Sequence, residues 1–187
     1  INAFIASKFY ETPANNYFDD DNFYKCVVDT YNTYNNPDVS YTTSLTDAQL
    51  KAITGLYCER ENIVSAKGIE KLSSLTYLSL YSNELEELDL SKNTKLQYLQ
   101  CYTNKLTSLD VSQNTALTNL ACNGNQLTSL DVNGCTALTY LICYNNQLTS
   151  LDVSKNTALF YFDCGTNKLP SLDVSKNVAL CTLYCGA

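Results

Sequence analysis

"LTNLACNGNQLTSLDVNGCTA", Leu117 to Ala137, is one copy of a phrase written along most of this chain. Working outward, the phrase begins again at Leu96 and Leu75 on one side and at Leu138, Leu159 and Leu180 on the other. The shared pattern is L-x-x-L-x-(L/C)-x-x-N-x-L-x-x-L-D-(V/L)-(S/N)-x-(N/C)-x-x. A looser 22-residue unit runs from Ile53 to Ser74, five 21-residue units follow, and a truncated one ends at Ala187. Residues 53–187 thus read as one array, and 1–52, which do not repeat, read as a helical N-terminal cap. Array and cap are expected to form one continuous structural domain.

A period of this length opening with L-x-x-L-x-L-x-x-N is identified as a leucine-rich repeat. The opening half alternates, so Leu138, Leu141 and Cys143 point inward while Tyr140, Ile142 and Tyr144 point out. One unit cannot bury its inner side alone. Stacking units at about 4.8 Å builds a parallel sheet and a shared core. The second half, "LTSLDVSKN", returns in too few residues for a helix, so extended or 3₁₀ structure is predicted there. The expected fold is a solenoid of the α/β horseshoe type, with a parallel β-sheet on the concave face and an α-helical N-terminal cap.

Rows of identical residues follow from the period. Cys101, Cys122, Cys143, Cys164 and Cys185 share an inward site that Leu80 holds in the second unit and Cys58 in the first. Cysteine there reads as a small buried hydrophobe. Bridges up the stack are disfavoured, because strand neighbours stand about 4.8 Å apart and a disulfide needs Cβ atoms about 3.8 Å apart. One row of thiols offers no closed tetrahedron for a metal. Asn83, Asn104, Asn125, Asn146 and Asn167 are predicted to be buried at the strand ends, satisfying turn backbone of adjoining rungs. Asn93, Asn114, Cys135, Asn156 and Asn177 serve the opposite turn, with the Cys135 thiol a weak stand-in donor. Asp89, Asp110, Asp131, Asp152 and Asp173 form a third row. Local Asx turns explain it better than a calcium ladder, which would bring Gly-rich turns and more oxygens per ion. No metal or cofactor is expected.

Composition narrows the function. The net charge is −7 and no run of Lys or Arg occurs, which argues against nucleic acid or an anionic membrane surface as partner. Neither a run of about 18 apolar residues nor a basic segment followed by an apolar one is present, so no membrane insertion is expected and any export signal is expected to have been removed already. Histidine is absent, which removes the usual general base and nucleophile activator. An enzyme is not expected. The nine cysteines are an odd number, so a monomer leaves at least one unpaired.

The cap reads as two helices. "FDDDNFYKCVVDTY" has an acidic start, with Phe23, Cys26, Val27, Thr30 and Tyr31 on one face. "YNTYNNPDVSYTTS" is turn-rich, and "TDAQLKAI" opens with Thr46 and Gln49 at capping-box spacing. This helix-loop-helix, followed by "GIEKLSSLTYLSLYSNELEELDLSKNTKL", resembles the N-terminal region of internalin-like bacterial leucine-rich repeat proteins. The later units resemble the cysteine-containing "LTYLxCYNNQLTSLDVSKNTA" repeats of gut-bacterial surface proteins. The resemblance spans about residues 12–187 and implies a secreted or cell-surface location. Some relatives carry a calcium loop between the cap helices. Asp29 to Asp47 lacks its D-x-D-x-D-G order and closing Glu, so calcium is not expected there.

The outward strand positions carry the candidate site. Tyr77, Tyr98, Tyr140 and Tyr161 make one column and Tyr81, Tyr102 and Tyr144 another, with Tyr57 and Tyr184 between them at the two ends. Asn119 and Asn123 interrupt both columns around the small Ala121, predicting a shallow saddle between aromatic walls. Tyrosine pairs rigid area with a hydrogen-bonding tip, which suits binding, although β-propensity also favours it on strands. The favoured function is a non-catalytic protein-binding module, adhesin- or receptor-like, that takes a host or bacterial protein on this face. The alternatives are a glycan-binding protein, with rings stacked on sugars and Asp163, Asn119 and Asn123 accepting hydroxyl hydrogen bonds, and a spacer displaying another domain. A monomer or a weak edge-mediated dimer is expected, and the parent protein is expected to continue beyond Ala187.

Overall fold

The computed structural model describes residues 17–35 and 42–186. Helix α1 (Asp21–Thr30) runs into a π-helical turn (Tyr31–Asn35), and helix α2 (Asp47–Ala52) leads into the array. Strands β1 (Gly55–Tyr57), β2 (Tyr77–Ser79), β3 (Tyr98–Gln100), β4 (Asn119–Ala121), β5 (Tyr140–Ile142), β6 (Tyr161–Asp163) and β7 (Thr182–Tyr184) follow. They form one parallel sheet in chain order. The pairing carries the sequence period into space: Tyr77 faces Tyr98, Tyr98 faces Asn119, and Asn119 faces Tyr140. Chemically equivalent side chains therefore stack in columns.

The core is the inward column at strand centre, Leu56, Leu78, Leu99, Leu120, Leu141 and Phe162, together with leucines of the returning half such as Leu85, Leu106, Leu127 and Leu148. Each is worth about 2 kcal/mol when taken out of water, and only its neighbours above and below remove that water. The asparagine row closes the strand ends as predicted. Asn104 Nδ2 donates to Leu80 O at 2.9 Å and Cys101 O at 3.0 Å, while its Oδ1 accepts Leu85 N–H at 3.0 Å. Asn125 and Asn146 repeat the geometry. Asn167 makes the same bonds but is only partly buried, nearer the open end of the sheet. The residue before each of these asparagines (Ser82, Thr103, Gly124, Asn145 and Thr166) is left-handed. That turn recurs whatever the residue, so the ladder imposes it.

On the other side, each unit turns back through two successive three-residue steps: Asn93 N–H to Leu90 O, then Leu96 N–H to Asn93 O, repeated around Asn114, Cys135, Asn156 and Asn177. A 3₁₀ helix forms only at Ile69–Lys71 among the described residues, so the return is otherwise extended segments and turns. Asn114 Nδ2 donates to Leu90 O and Asn93 O at 3.2 and 2.9 Å. Cys135 reaches the matching carbonyls of Val111 and Asn114 only at 3.6 Å through sulfur. The Oδ1 atoms of Asn93, Asn114, Asn156 and Asn177 are buried without a protein partner. This row thus uses only its donor, which is why a thiol can substitute. The aspartates form the expected Asx turns, with Asp89 Oδ1 accepting Ser91 N–H at 2.9 Å and Asp110 Oδ1 accepting Ser112 N–H at 2.8 Å. Those N–H groups hold the carboxyls of Asp89, Asp110, Asp152 and Asp173 below the usual range.

The cap docks through Asp20. Its side chain caps α1 by accepting Phe23 N–H at 2.9 Å and also accepts Val64 N–H at 2.7 Å from the first rung. Phe23, Val27 and Val28 are buried with Leu50 and Ile53. Gly68, at φ 101°, passes so close to Phe18 that a Cβ would lie 2.5 Å from its ring, so both the backbone angle and the space require glycine. The capping box of α2 is present in both directions. The segment read as turn-rich instead begins helically. Asn32 Nδ2 donates back to Val28 O and on to Thr42 O, and Thr33 Oγ1 donates to Asp29 O, which extends the helix to Asn35. Residues 36–41 of the loop tested for calcium ligands, and 1–16 of the cap, lie outside the described residues.

Two expectations about the cysteine row are corrected. Cys58 is not a packing thiol: it is bonded to Cys26 of α1, with Cα atoms 5.8 Å apart. Helix α1 approaches the first rung from outside the stack and brings the geometry that neighbouring rungs lack. Cys185 is exposed rather than buried, since it follows β7 at the edge of the sheet.

Candidate partner-binding face

Three outward columns are built by the strand register. The first is Tyr77, Tyr98, Asn119, Tyr140 and Tyr161; the second runs Tyr57, Ser79, Gln100, Ala121, Ile142, Asp163 and Tyr184. Backbone bonds beyond the strand ends align the third, Tyr81, Tyr102, Asn123, Tyr144 and Gly165. Nine tyrosines accordingly stand on one side of the sheet, in the positions expected from alternation.

The two halves of this face differ. Toward the cap the rings are mutually packed: Tyr57 stacks on Tyr77 at 4.8 Å, Tyr77 on Tyr98 at 5.9 Å, and Tyr81 lies parallel to Tyr102 at 4.5 Å and 4°. Tyr34 extends the series to the cap, and the Arg60 guanidinium lies 5.7 Å from the Tyr81 ring centre. Ser79, fully buried beneath them, and the Tyr77 hydroxyl both donate to Gln100 Oε1, at 3.3 and 3.4 Å. Burial pushes the Tyr77 and Tyr102 phenols up. Beyond the fourth rung, Tyr140 pairs with Tyr161 at 5.9 Å and Tyr161 with Tyr184 at 5.9 Å, and Phe160 flanks Tyr140. Tyr57, Tyr98, Tyr140, Tyr144 and Tyr184 keep 38–55% of their surface exposed.

Asn119, Ala121 and Asn123 do separate the two aromatic groups, but Asn123 is buried, with only 7% of its surface exposed. Its column neighbours, Tyr102 and Tyr144, are far bulkier and shield it. Asn119, part-exposed, takes the Thr118 hydroxyl at 2.9 Å. Asp163 is partly exposed and its Oδ1 accepts Gly165 N–H at 3.1 Å. Tyr34, Arg60, Gln100 and Phe160 were missed as face residues. Phe160 lies next to Tyr161, and Arg60 follows the outward column by one residue, so only ring and side-chain reach brings them in.

The thiols behind the sheet are chemically quiet. Cys101, Cys122, Cys143 and Cys164 are buried, and desolvation holds Cys122 at about 12 and Cys164 at about 11, leaving no thiolate at neutral pH. Among the described residues no three His, Cys, Asp or Glu side chains are grouped to hold a metal, and no helix is long and apolar enough to cross a membrane. Two depressions, of about 590 and 840 Å³, lie off the tyrosine face, around Glu70, Asp89 and Asp110 and around Glu84, Glu86 and Lys105.

No family model matches the sequence. Over 80 residues it is 44% identical to internalin J of Listeria monocytogenes serotype 4b (strain F2365), a stretch covering 43% of this chain and 8% of that protein. The solved functional domain of InlJ from Listeria monocytogenes, described as including a cysteine ladder, is 31% identical over 91% of this chain and 56% of that one, with a TM-score of 0.43. The leucine-rich repeat domain of APL1B gives a TM-score of 0.62 at 21% identity, over 76% of this chain and 53% of that one. A leucine-rich repeat protein of Leptospira interrogans gives 0.54 at 24%, over 73% and 44%. This chain is an internalin-like leucine-rich repeat solenoid.

The chain spans about half of the InlJ domain and a small part of internalin J. The last two structures share its fold. The repeat sequence dictates stacking. What the internalin-like solenoid displays is set instead by the outward residues, where each rung is free to differ.

Proposed function

We propose that this solenoid is a non-catalytic protein-binding module of a bacterial cell-surface or secreted protein, gripping its partner on the tyrosine face. The observation that carries this reading is the concentration of nine of fifteen tyrosines on one sheet face, five of them with large exposed rings. Such rings add contact area at little conformational cost, and the Tyr77–Gln100 and stacked-ring contacts hold several of them in place before any partner arrives. The internalin relatives support a surface or secreted location.

Paired protein and glycan arrays, probed with the intact chain and a Tyr98→Ala/Tyr140→Ala variant, test the reading. A protein partner bound about thirtyfold more weakly by the variant is expected, as for loss of two anchor residues. Binding confined to glycans would move the function to the sugar-binding alternative, and unchanged binding would leave the array a spacer.

A further inference from the structure

We infer that the second half of the tyrosine face is a receptor for an arginine side chain of the partner protein, held between the exposed ring of Tyr144 and the carboxylate of Asp163. The inference rests on the protein-binding reading above and specifies the partner's chemistry.

The molecule contains its own precedent. In the third outward column, Tyr102 is covered by Tyr81, and the Tyr81 ring has the guanidinium of Arg60 beside it. Aromatic surface in this column is thus satisfied in order by a ring and then by a cation. Tyr144 lies in the same column with neither. Its neighbours are Asn123 on one side and Gly165, which has no side chain, on the other, and 38% of its surface is exposed.

Gly165 makes the notch. A Cβ there would lie 2.9 Å from Gly186 O and 3.5 Å from Asp163 Oδ1, crowding the next rung and overhanging the carboxylate. Without it, Asp163 stands in the central column between Ile142 and Tyr184, beside Tyr161. Oδ1 is engaged by Gly165 N–H, which fixes the carboxylate and leaves Oδ2 for a donor. The ion pairs of Lys67 with Asp19 and of Lys105 with Glu84 do not involve Asp163. Its charge is felt nearby: after burial, it is the next cause holding up the Tyr161 phenol. A negative group flanked by the phenols of Tyr161 and Tyr184, on a chain of net charge −7, complements a cation rather than a neutral sugar. Arginine suits it better than lysine, because its plane stacks on a ring while its N–H edge meets a carboxylate.

The test titrates the intact chain with a short arginine peptide and with the same peptide carrying neutral citrulline, following tyrosine ring resonances by NMR. Saturable shifts at Tyr144, Tyr161 and Tyr184 are expected with arginine. Citrulline, which loses both contacts, should weaken binding about tenfold, and Asp163→Asn, which keeps an oxygen for Gly165 N–H and loses only the exposed ion pair, about threefold. Equal binding by Asp163→Asn, equal shifts with citrulline, or shifts confined to the acidic depression near Glu84 and Glu86 would overturn the inference. If Asp163→Asn binds the array-identified partner normally while Tyr98→Ala/Tyr140→Ala does not, the arginine site fails and the binding face survives.

Discussion

Cys58 and Cys143 occupy the same inward site of the repeat, yet one is in a disulfide and the other is an inert thiol. The difference does not lie in the rung. Inside the array, the neighbours of a ladder cysteine are its own copies, held at strand spacing by backbone bonds on either side. At the first rung the neighbour is α1, which is free to approach at another angle and distance and brings Cys26. The chemistry of a repeated position is therefore decided by what meets it from outside the repeat. The cap end is fixed covalently, whereas the interior is held by dry packing and side-chain amides.

Raising the pH breaks the comparison most strongly. Burial raises the pKa of Cys101, Cys122, Cys143 and Cys164, and also of Cys135, above the ordinary 9.0. A raised folded pKa gives stability that is complete below the unfolded value and is lost as pH climbs toward the folded one, about 11 to 12 for Cys122, Cys135 and Cys164. Denaturant titrations between about pH 8 and 10 should show a loss of about 1 kcal/mol per thiol, or about 5 kcal/mol for the five. The Cys26–Cys58 bridge does not titrate and contributes nothing to this loss. A flat profile would place the thiols in water.

Cys26→Ala tests the other side. The bridge spans a sequence separation of 32, and opening a loop of that size costs roughly 3.5 kcal/mol in the chain-entropy picture. Urea denaturation should show that loss, and reductant should produce it in the native chain while leaving the variant unchanged. A smaller gain is expected from Cys135→Asn. It replaces two 3.6 Å sulfur contacts with the 2.8–3.2 Å amide bonds made at Asn114 and Asn156, for about 1 kcal/mol of added stability. No gain would mean that the vacant oxygen of this row offsets the donor.

Periodicity made the array legible, because each inward or outward assignment was checked by its own repetition. Leu141, Asn146 and Tyr140 needed no tertiary information beyond stacking. The cap helices were legible through local signals, Asp20 with its acidic turn and the Thr46–Gln49 box. The disulfide was not, since Cys26 fits the apolar face of α1 and Cys58 fits the ladder, so each had a sufficient local explanation. Cys26 is the one cysteine of the non-repeating segment, and that was the available signal. Asn123 was misplaced for a related reason. Alternation gives the direction of a side chain but not the height of the residues beside it.

Thiol counting with a small, water-soluble disulfide reagent tests the separation of bridge from ladder most directly. Of nine cysteines, native protein should release two rapidly, at Cys181 and Cys185. Denatured protein should release seven, and denatured protein reduced beforehand and freed of reductant all nine. Rapid reaction of more than two in the native state, or fewer than seven after denaturation alone, would contradict a dry row of unpaired thiols behind the tyrosine face.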